Sequence, residues 1–199
     1  LNDEAFLGFP SGAIGCYCDH CRKRFKAATG LDAPRNNNFD DPTWWKWIEF
    51  RFQAWTDVHA GLRDRIRQLR PDVAVGIQHS PIAPLFAWNP WKTAIDLGRD
   101  AVAMDILATD PYHYMHLDVV TLRPHRRLLA EGTRGLAGAC LSDRKITIYP
   151  QGFMPPGQSV PLTRQDGLLA GIVPFALGAD AVAPYTYEMM NIIPGFAQG

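Results

Sequence analysis

Residues 73–81 read Val-Ala-Val-Gly-Ile-Gln-His-Ser-Pro. Five apolar or small residues without alternation give way to Gln78, His79, Ser80 and Pro81, the pattern of a buried strand running into a polar loop. The preceding segment has another period. Ile48, Phe52, Trp55, Val58, Leu62, Ile66 and Leu69 recur every three or four residues, and Arg51, Asp57, Arg63, Asp64, Arg65 and Arg67 largely fill the gaps. Residues 44–69 are therefore predicted to form an amphipathic helix. Asp41-Pro42-Thr43 suits its start, and Arg70-Pro71 stops it because proline cannot donate to the helical ladder.

The same unit recurs downstream. Pro90–Leu97 reads as a short helix, and Ala101–Thr109 as a strand ending in Asp110-Pro111-Tyr112. Leu117–Leu136 reads as a helix whose start is delayed by Pro124, and Lys145–Tyr149 as a strand ending in Pro150-Gln151-Gly152-Phe153. Thr163–Leu177 reads as a helix stopped by Gly178; Ala181–Ala183 then leads into Pro184-Tyr185-Thr186-Tyr187-Glu188. The tails at His79, Asp110, Gln151 and Tyr185 fall 31, 41 and 34 residues apart, the pitch of βα units. Strands of this kind, each followed by a helix, imply a parallel sheet covered on both faces. Neither GxGxxG nor GxxxxGK[ST] opens any helix, which favours a barrel with chemistry at its strand ends over a nucleotide-binding doubly wound sheet.

The expected fold is thus a (β/α)8 barrel of the TIM type. Four strand–loop units and a strand tail at Leu1–Phe6 supply only strands four to eight, so residues 1–199 are expected to form the C-terminal part of one barrel domain. Strands one to three are expected in polypeptide preceding Leu1. A self-sufficient open α/β sheet is the alternative.

Composition narrows the function classes. The 199 residues are 47% apolar, enough for a real core, and 20 basic side chains balance 20 acidic ones. No net field draws the chain to nucleic acid or an anionic membrane, and no stretch has the length and apolarity of a spanning helix. With no signal-peptide pattern at residue 1, a cytoplasmic location is expected. Sixteen prolines, seventeen glycines and six tryptophans make a loop-rich, aromatic-rich mixture, and aromatic rings suit the C–H faces of sugars.

Cys16, Cys18 and Cys21 place three thiols within six residues, close enough to converge on one tetrahedral soft cation such as zinc. His20 adjoins Cys21 too closely to be an easy fourth ligand, and Cys140 belongs to a different unit. The alternative is ordinary or disulfide-bonded cysteines near a turn.

An acidic pair at a strand tail (Asp3-Glu4), then CYCDHCRKRF at residues 16–25, then Gly30 and a Trp-rich helix, resembles glycoside hydrolase family 42. The later segments 108–112, 151–153 and 178–181 look like strands six to eight of related glycosyl-hydrolase-like barrels. The resemblance implies a β-galactosidase-like barrel with an acid/base glutamate at Glu4 and a structural zinc on the three cysteines, completed by a fourth cysteine earlier in the chain. It departs at two places. Asp3 stands where the family has asparagine, and Gln151 falls near its strand-seven nucleophilic glutamate. An amide cannot serve as a carboxylate nucleophile.

Glycosidic cleavage needs one acid to protonate the leaving oxygen and one carboxylate opposite. Glu4 is the candidate acid/base, and Asp110 or Glu188 the second carboxylate. Asp3, His79, Trp88, Tyr112, Gln151, Tyr185 and Tyr187 are candidate substrate-binding residues through hydrogen bonds or stacking. For each, a bland reading stands beside the functional one: a frayed terminus for Glu4, a loop cap for Asp110, a satisfied structural histidine for His79. Trp44, Trp45 and Trp47 are expected to pack on the long helix. The expected function is a glycosidase acting on a carbohydrate substrate, with a structural zinc and no organic cofactor; a homo-oligomer is compatible with it. A catalytically silent sugar-binding barrel is the alternative, and no residue excludes a barrel enzyme acting on something other than a sugar.

Overall fold

The computed structural model describes residues 17–36, 38–79, 94–112, 127–140, 143–154 and 162–186. Nine elements lie within them: helix α1 (Asp19–Thr29), α2 (Pro42–Leu69), strand β1 (Gly76–His79), α3 (Leu97–Ala103), β2 (Ile106–Thr109), α4 (Arg127–Ala139), β3 (Lys145–Ile148), α5 (Arg164–Ala176) and β4 (Ala181–Val182). The strands form one sheet in the order β1-β2-β3-β4, and all three pairings are parallel. The expected order and direction are therefore present. The predicted strand tail at Leu1–Phe6 lies outside the described residues.

Several boundaries differ from the sequence expectation: within the described part of the helix expected at Pro90–Leu97, helix starts only at Leu97, after Asp96, and the helix expected to end at Leu136 runs on to Ala139. Residues 101–103 belong to α3 and not to a strand, because Asp96 caps that helix by accepting from the N–H groups of Gly98 and Arg99. A continuous apolar run does not by itself distinguish helix from strand. The first strand also begins later, at Gly76, so Gln78 and His79 lie within β1 and not in its tail. This shift decides which way each of them faces.

Two acidic residues lock the strand starts together. The Asp105 carboxylate, just before β2, accepts from the Val75 N–H at 2.9 Å. Asp180, just before β4, accepts from the Ile146 N–H and from Lys145 Nζ, both at 2.8 Å. Close approach also needs Gly76. A Cβ there would meet the Ile106 Cβ at 2.9 Å and the Ile106 carbonyl oxygen at 3.3 Å across the registered pair. Gly76→Ala is expected to lower stability by about 1–3 kcal/mol through overpacking, read as a lower urea midpoint.

The main core lies between sheet and helices. Val75, Ile77, Leu107, Ile146 and Ile148 meet Ala101, Met104, Leu129 and Leu136 there. A second core joins α1 to the first half of α2, where Phe25, Trp44, Trp47 and Ile48 are all buried. Trp44 and Trp47 thus pack as expected, whereas Trp45 is 48% exposed and donates its Nε1–H to the Phe39 carbonyl. Gly30 ends α1 at φ 73°, a left-handed cap that lets its N–H reach the Lys26 carbonyl at 2.8 Å.

Helix α2 outruns the sheet. Arg67 pairs with Asp105 and Arg63 donates to the Ala103 carbonyl, both near the N-terminal edge of β2. His59 is level with the opposite end, meeting Asp100, which in turn meets His79 at the last residue of β1. Residues 42–58, about 25 Å of helix at 1.5 Å per residue, therefore lie past the level of the strand C-termini. Helix α1 sits on that extension.

Candidate functional site at the strand C-termini

Alternation along the strands sorts side chains into two layers. Ile77, Leu107, Ile146 and Ile148 enter the core under the helices. Gly76, Gln78, Ile106, Ala108, Thr147 and Tyr149 line a hollow of about 380 Å³ on the opposite face. Gly76 and Ala108 are small and Gln78 and Thr147 polar, with Ile106 and Tyr149 the bulkier members of the lining. Asp110 and Gln151 continue its two rows, each two residues past the last lining position, and both are buried.

Beyond these polar ends stands an aromatic group drawn from three different strand tails. Tyr112 stacks on Tyr185 with ring centroids 6.2 Å apart and planes at 25°. Phe153 meets both edge-on, at 5.2 Å from Tyr112 and 6.1 Å from Tyr185. Such offset and edge-to-face geometries are the favoured arrangements of aromatic pairs. The tails are tied as well as stacked: Tyr185 N–H donates to the Pro150 carbonyl and Gly152 N–H to the Tyr185 carbonyl. Tyr185 remains 54% exposed, which leaves one ring available to a ligand.

The structure brings Asp110, Tyr112, Gln151 and Tyr185 to one end of the sheet. Gln151 is fully buried, and its Nε2 donates to the Phe153 carbonyl at 2.8 Å, so the amide props the loop that carries Phe153. Phe153, at the end of the tail Pro150-Gln151-Gly152-Phe153, is a further residue of this end, beyond those the sequence marks as candidates. A signal for it exists: an aromatic stands two positions after the polar strand-end residue in both Asp110-Pro111-Tyr112 and Gln151-Gly152-Phe153.

His79 goes elsewhere. It shares the parity of Ile77, so its ring enters the helix side, fully buried, with Nε2 3.2 Å from the Asp100 carboxylate. That pair is close enough for strong charge interaction but falls short of a directed hydrogen bond. The other carboxylate oxygen of Asp100 lies 3.3 Å from His59 Nδ1 and 3.5 Å from the Thr56 hydroxyl. His79 is thus a structural neighbour of the site: its backbone carbonyl accepts from the Thr109 hydroxyl at 3.0 Å, next to Asp110. Burial pushes the Asp100 carboxyl up, but the two imidazoles outweigh it and hold the group below the usual carboxylate range.

Glu4, Glu188, Asp3, Trp88, Tyr187 and Cys16 lie outside the described residues. Cys18 occupies the N-cap position of α1, and Cys21 lies in its first turn against the Phe25–Trp47 core. Thiol donors at a helix N-terminus have the chemistry a soft cation requires, while among the described residues no group of three or more His, Cys, Asp or Glu side chains is placed to hold an ion. Among these same residues no helix is long and apolar enough to cross a membrane.

The chain matches no protein-family model, and the comparison with curated proteins gives no match. Among solved structures it is similar to the crystal structure of bee venom hyaluronidase, with a TM-score of 0.53 and 11% sequence identity. The match covers 83% of this chain and 54% of the hyaluronidase chain, so the chain spans about half the length of that protein. At this identity the likeness is one of fold: a parallel sheet with helices packed on it is arranged here as it is in a solved hyaluronidase.

Proposed function

We propose that this chain is part of a glycoside-hydrolase-like (β/α)8 barrel that binds a carbohydrate at the C-terminal ends of its strands. One observation carries the reading: Tyr112, Phe153 and Tyr185 come from three successive strand tails and assemble one aromatic platform beside Asp110 and Gln151. Barrel enzymes place their active sites at this end of the sheet. The fold likeness to a hyaluronidase, an enzyme that cleaves glycosidic bonds, supports the same class. In this reading the sheet is an arc of the barrel comprising strands five to eight, the hollow on its concave face belongs to the barrel interior, and Glu4 ends strand four. Asp110 supplies one carboxylate, and Glu4 or Glu188 supplies the other. The resemblance to family 42 further proposes a structural zinc on Cys16, Cys18 and Cys21, which would stiffen the start of α1 and take no part in bond cleavage.

A second reading is favoured by Gln151. Its amide is buried and committed to the Phe153 loop, and it carries no charge to stabilise an oxocarbenium-like centre. A sugar-binding barrel without hydrolysis uses the same platform. Titrating the protein with soluble neutral oligosaccharides tests what both readings share. Tyr185→Ala is expected to weaken binding about ten-fold, roughly 1.4 kcal/mol, with little change in unfolding midpoint because the ring is exposed. Absence of any saccharide binding by the wild type would remove both. Gln151→Ala is expected to loosen the Phe153 loop and lower affinity with a smaller effect on any turnover, seen as KM rising more than kcat falls.

A further inference from the structure

The wall that α1 and the first half of α2 raise beyond the strand ends carries its own cleft. Its volume is about 680 Å³, and Arg22, Lys23, Lys26 and Arg35 line it together with Asp19 and Asp32. In a chain whose charges cancel, residues 17–36 hold five Arg or Lys against two Asp, a local excess of three positive charges. The two acids are already matched. Asp19 pairs with Arg22, and Asp32 pairs with Lys26 at 2.8 Å. Among the described residues, Lys23 and Arg35 form no salt bridge, so the lining keeps a net charge of two. Arg35 acts into the cleft, since its field adds to that of Lys26 in holding the Asp32 carboxyl below its usual range.

The floor is built, in contrast to a loose array of surface lysines. Tyr17 lines the cleft and stacks on the buried Trp47 at 5.0 Å with planes at 27°. Phe25 braces the same Trp47 edge-on from the underside of α1. An aromatic ring beside unmatched cations is the combination that meets a sugar ring bearing an anionic substituent. The ion pairs within the cleft are exposed and worth little individually, so a ligand carboxylate or sulfate displaces them at small cost.

We infer that this cleft is a docking site for an anionic saccharide chain, one carrying carboxylate or sulfate groups, separate from the strand-end platform. The inference rests on the carbohydrate reading of the strand ends. It extends that reading to the substrate class, an acidic polysaccharide long enough to span platform and wall. Nothing in the cleft is placed for chemistry; its role is to hold the chain and select its charge.

The test compares an oligogalacturonate hexamer with its methyl ester, which keeps the sugar backbone and removes the charge. Binding is measured by calorimetry at low and moderate salt, on wild type and on the double variant Lys23→Gln/Arg35→Gln. Both positions are on the surface, so the variant is expected to fold. The free acid should bind wild type about five- to ten-fold more tightly than the ester, with the advantage shrinking as salt rises. The double variant should lose that advantage and keep its affinity for the ester. Equal affinity of wild type for acid and ester, or a double variant that still prefers the acid, overturns the proposal. Single-stranded DNA binding as well as the acid, with the same loss in the variant, also overturns it, since the cleft would then be a general polyanion surface. The platform is tested separately by Tyr185→Ala. If that variant binds the ester as wild type does, the strand-end reading falls while the cleft is still judged by the charge preference.

Discussion

Asp100→Asn is expected to cost the protein about 3–5 kcal/mol, a loss of roughly 6–20 °C in Tm for a chain of this size. The carboxylate is fully buried and each of its oxygens answers a different imidazole, His59 from α2 and His79 from β1. It therefore holds the long helix, the short helix α3 and the end of the first strand in one place. Asparagine has the same shape but turns an N–H₂ toward one of the rings and removes the charge that both rings face. The pH dependence follows from the lowered carboxyl. A group whose native pKa lies beneath its unfolded value of about 3.9 contributes its full stability above that value and loses it as pH falls through the native pKa. The gap between wild type and Asp100→Asn in urea unfolding should be widest near neutrality and shrink below about pH 4. A gap under about 1 kcal/mol at pH 7, or one that does not narrow in acid, would show that the carboxylate is not the organising charge.

This cluster illustrates what the sequence concealed. His59 and Asp100 are 41 residues apart, and nothing in either neighbourhood marks them as partners. The parallel sheet was legible because apolar runs and intervening helices repeat at a steady pitch, and each run is bounded by polar residues. The parity of individual side chains was less so. Starting the first strand at Val73 left Gln78 and His79 in a loop, where either ring or amide could face a ligand. The strand in fact begins at Gly76, where a Cβ would meet the Ile106 side chain at 2.9 Å, and alternation then sends Gln78 to the concave face and His79 under the helices. At β2 and β3 the polar residue that follows the strand was placed at the correct end, and so Asp110 and Gln151 stand where the sequence put them. Phe153 carries neither charge nor hydroxyl, so its residue type alone does not mark it as part of a strand-end site. The platform depends on ring faces contributed by tails 41 and 32 residues apart.

Asp110→Asn is expected to lower any glycoside turnover by about 10²–10⁴-fold while leaving saccharide affinity within a few-fold of wild type. The residue continues the concave row of Ile106 and Ala108, lies 4% exposed at the strand end, and is followed by the turn in which Tyr112 N–H donates to its backbone carbonyl at 2.8 Å. That turn carries Tyr112 into the aromatic platform, so the carboxylate and a stacking ring are set by the same few backbone atoms. Asparagine preserves the turn-forming and capping capacity of this position and removes only the ability to carry a full charge or a transferable proton. The substitution thereby separates two roles. If Asp110 works in bond cleavage, kcat falls, KM barely moves, and the unfolding midpoint stays near wild type. If it only supports the loop, kcat and the midpoint both stay close to wild type, because the amide supports the loop equally well, and Glu4 and Glu188 become the pair to replace next. A protein that binds oligosaccharides with the Tyr185 dependence described above, yet cleaves none of them before any substitution is made, belongs to the silent reading, in which the buried Gln151 stands where a nucleophilic carboxylate would have to be.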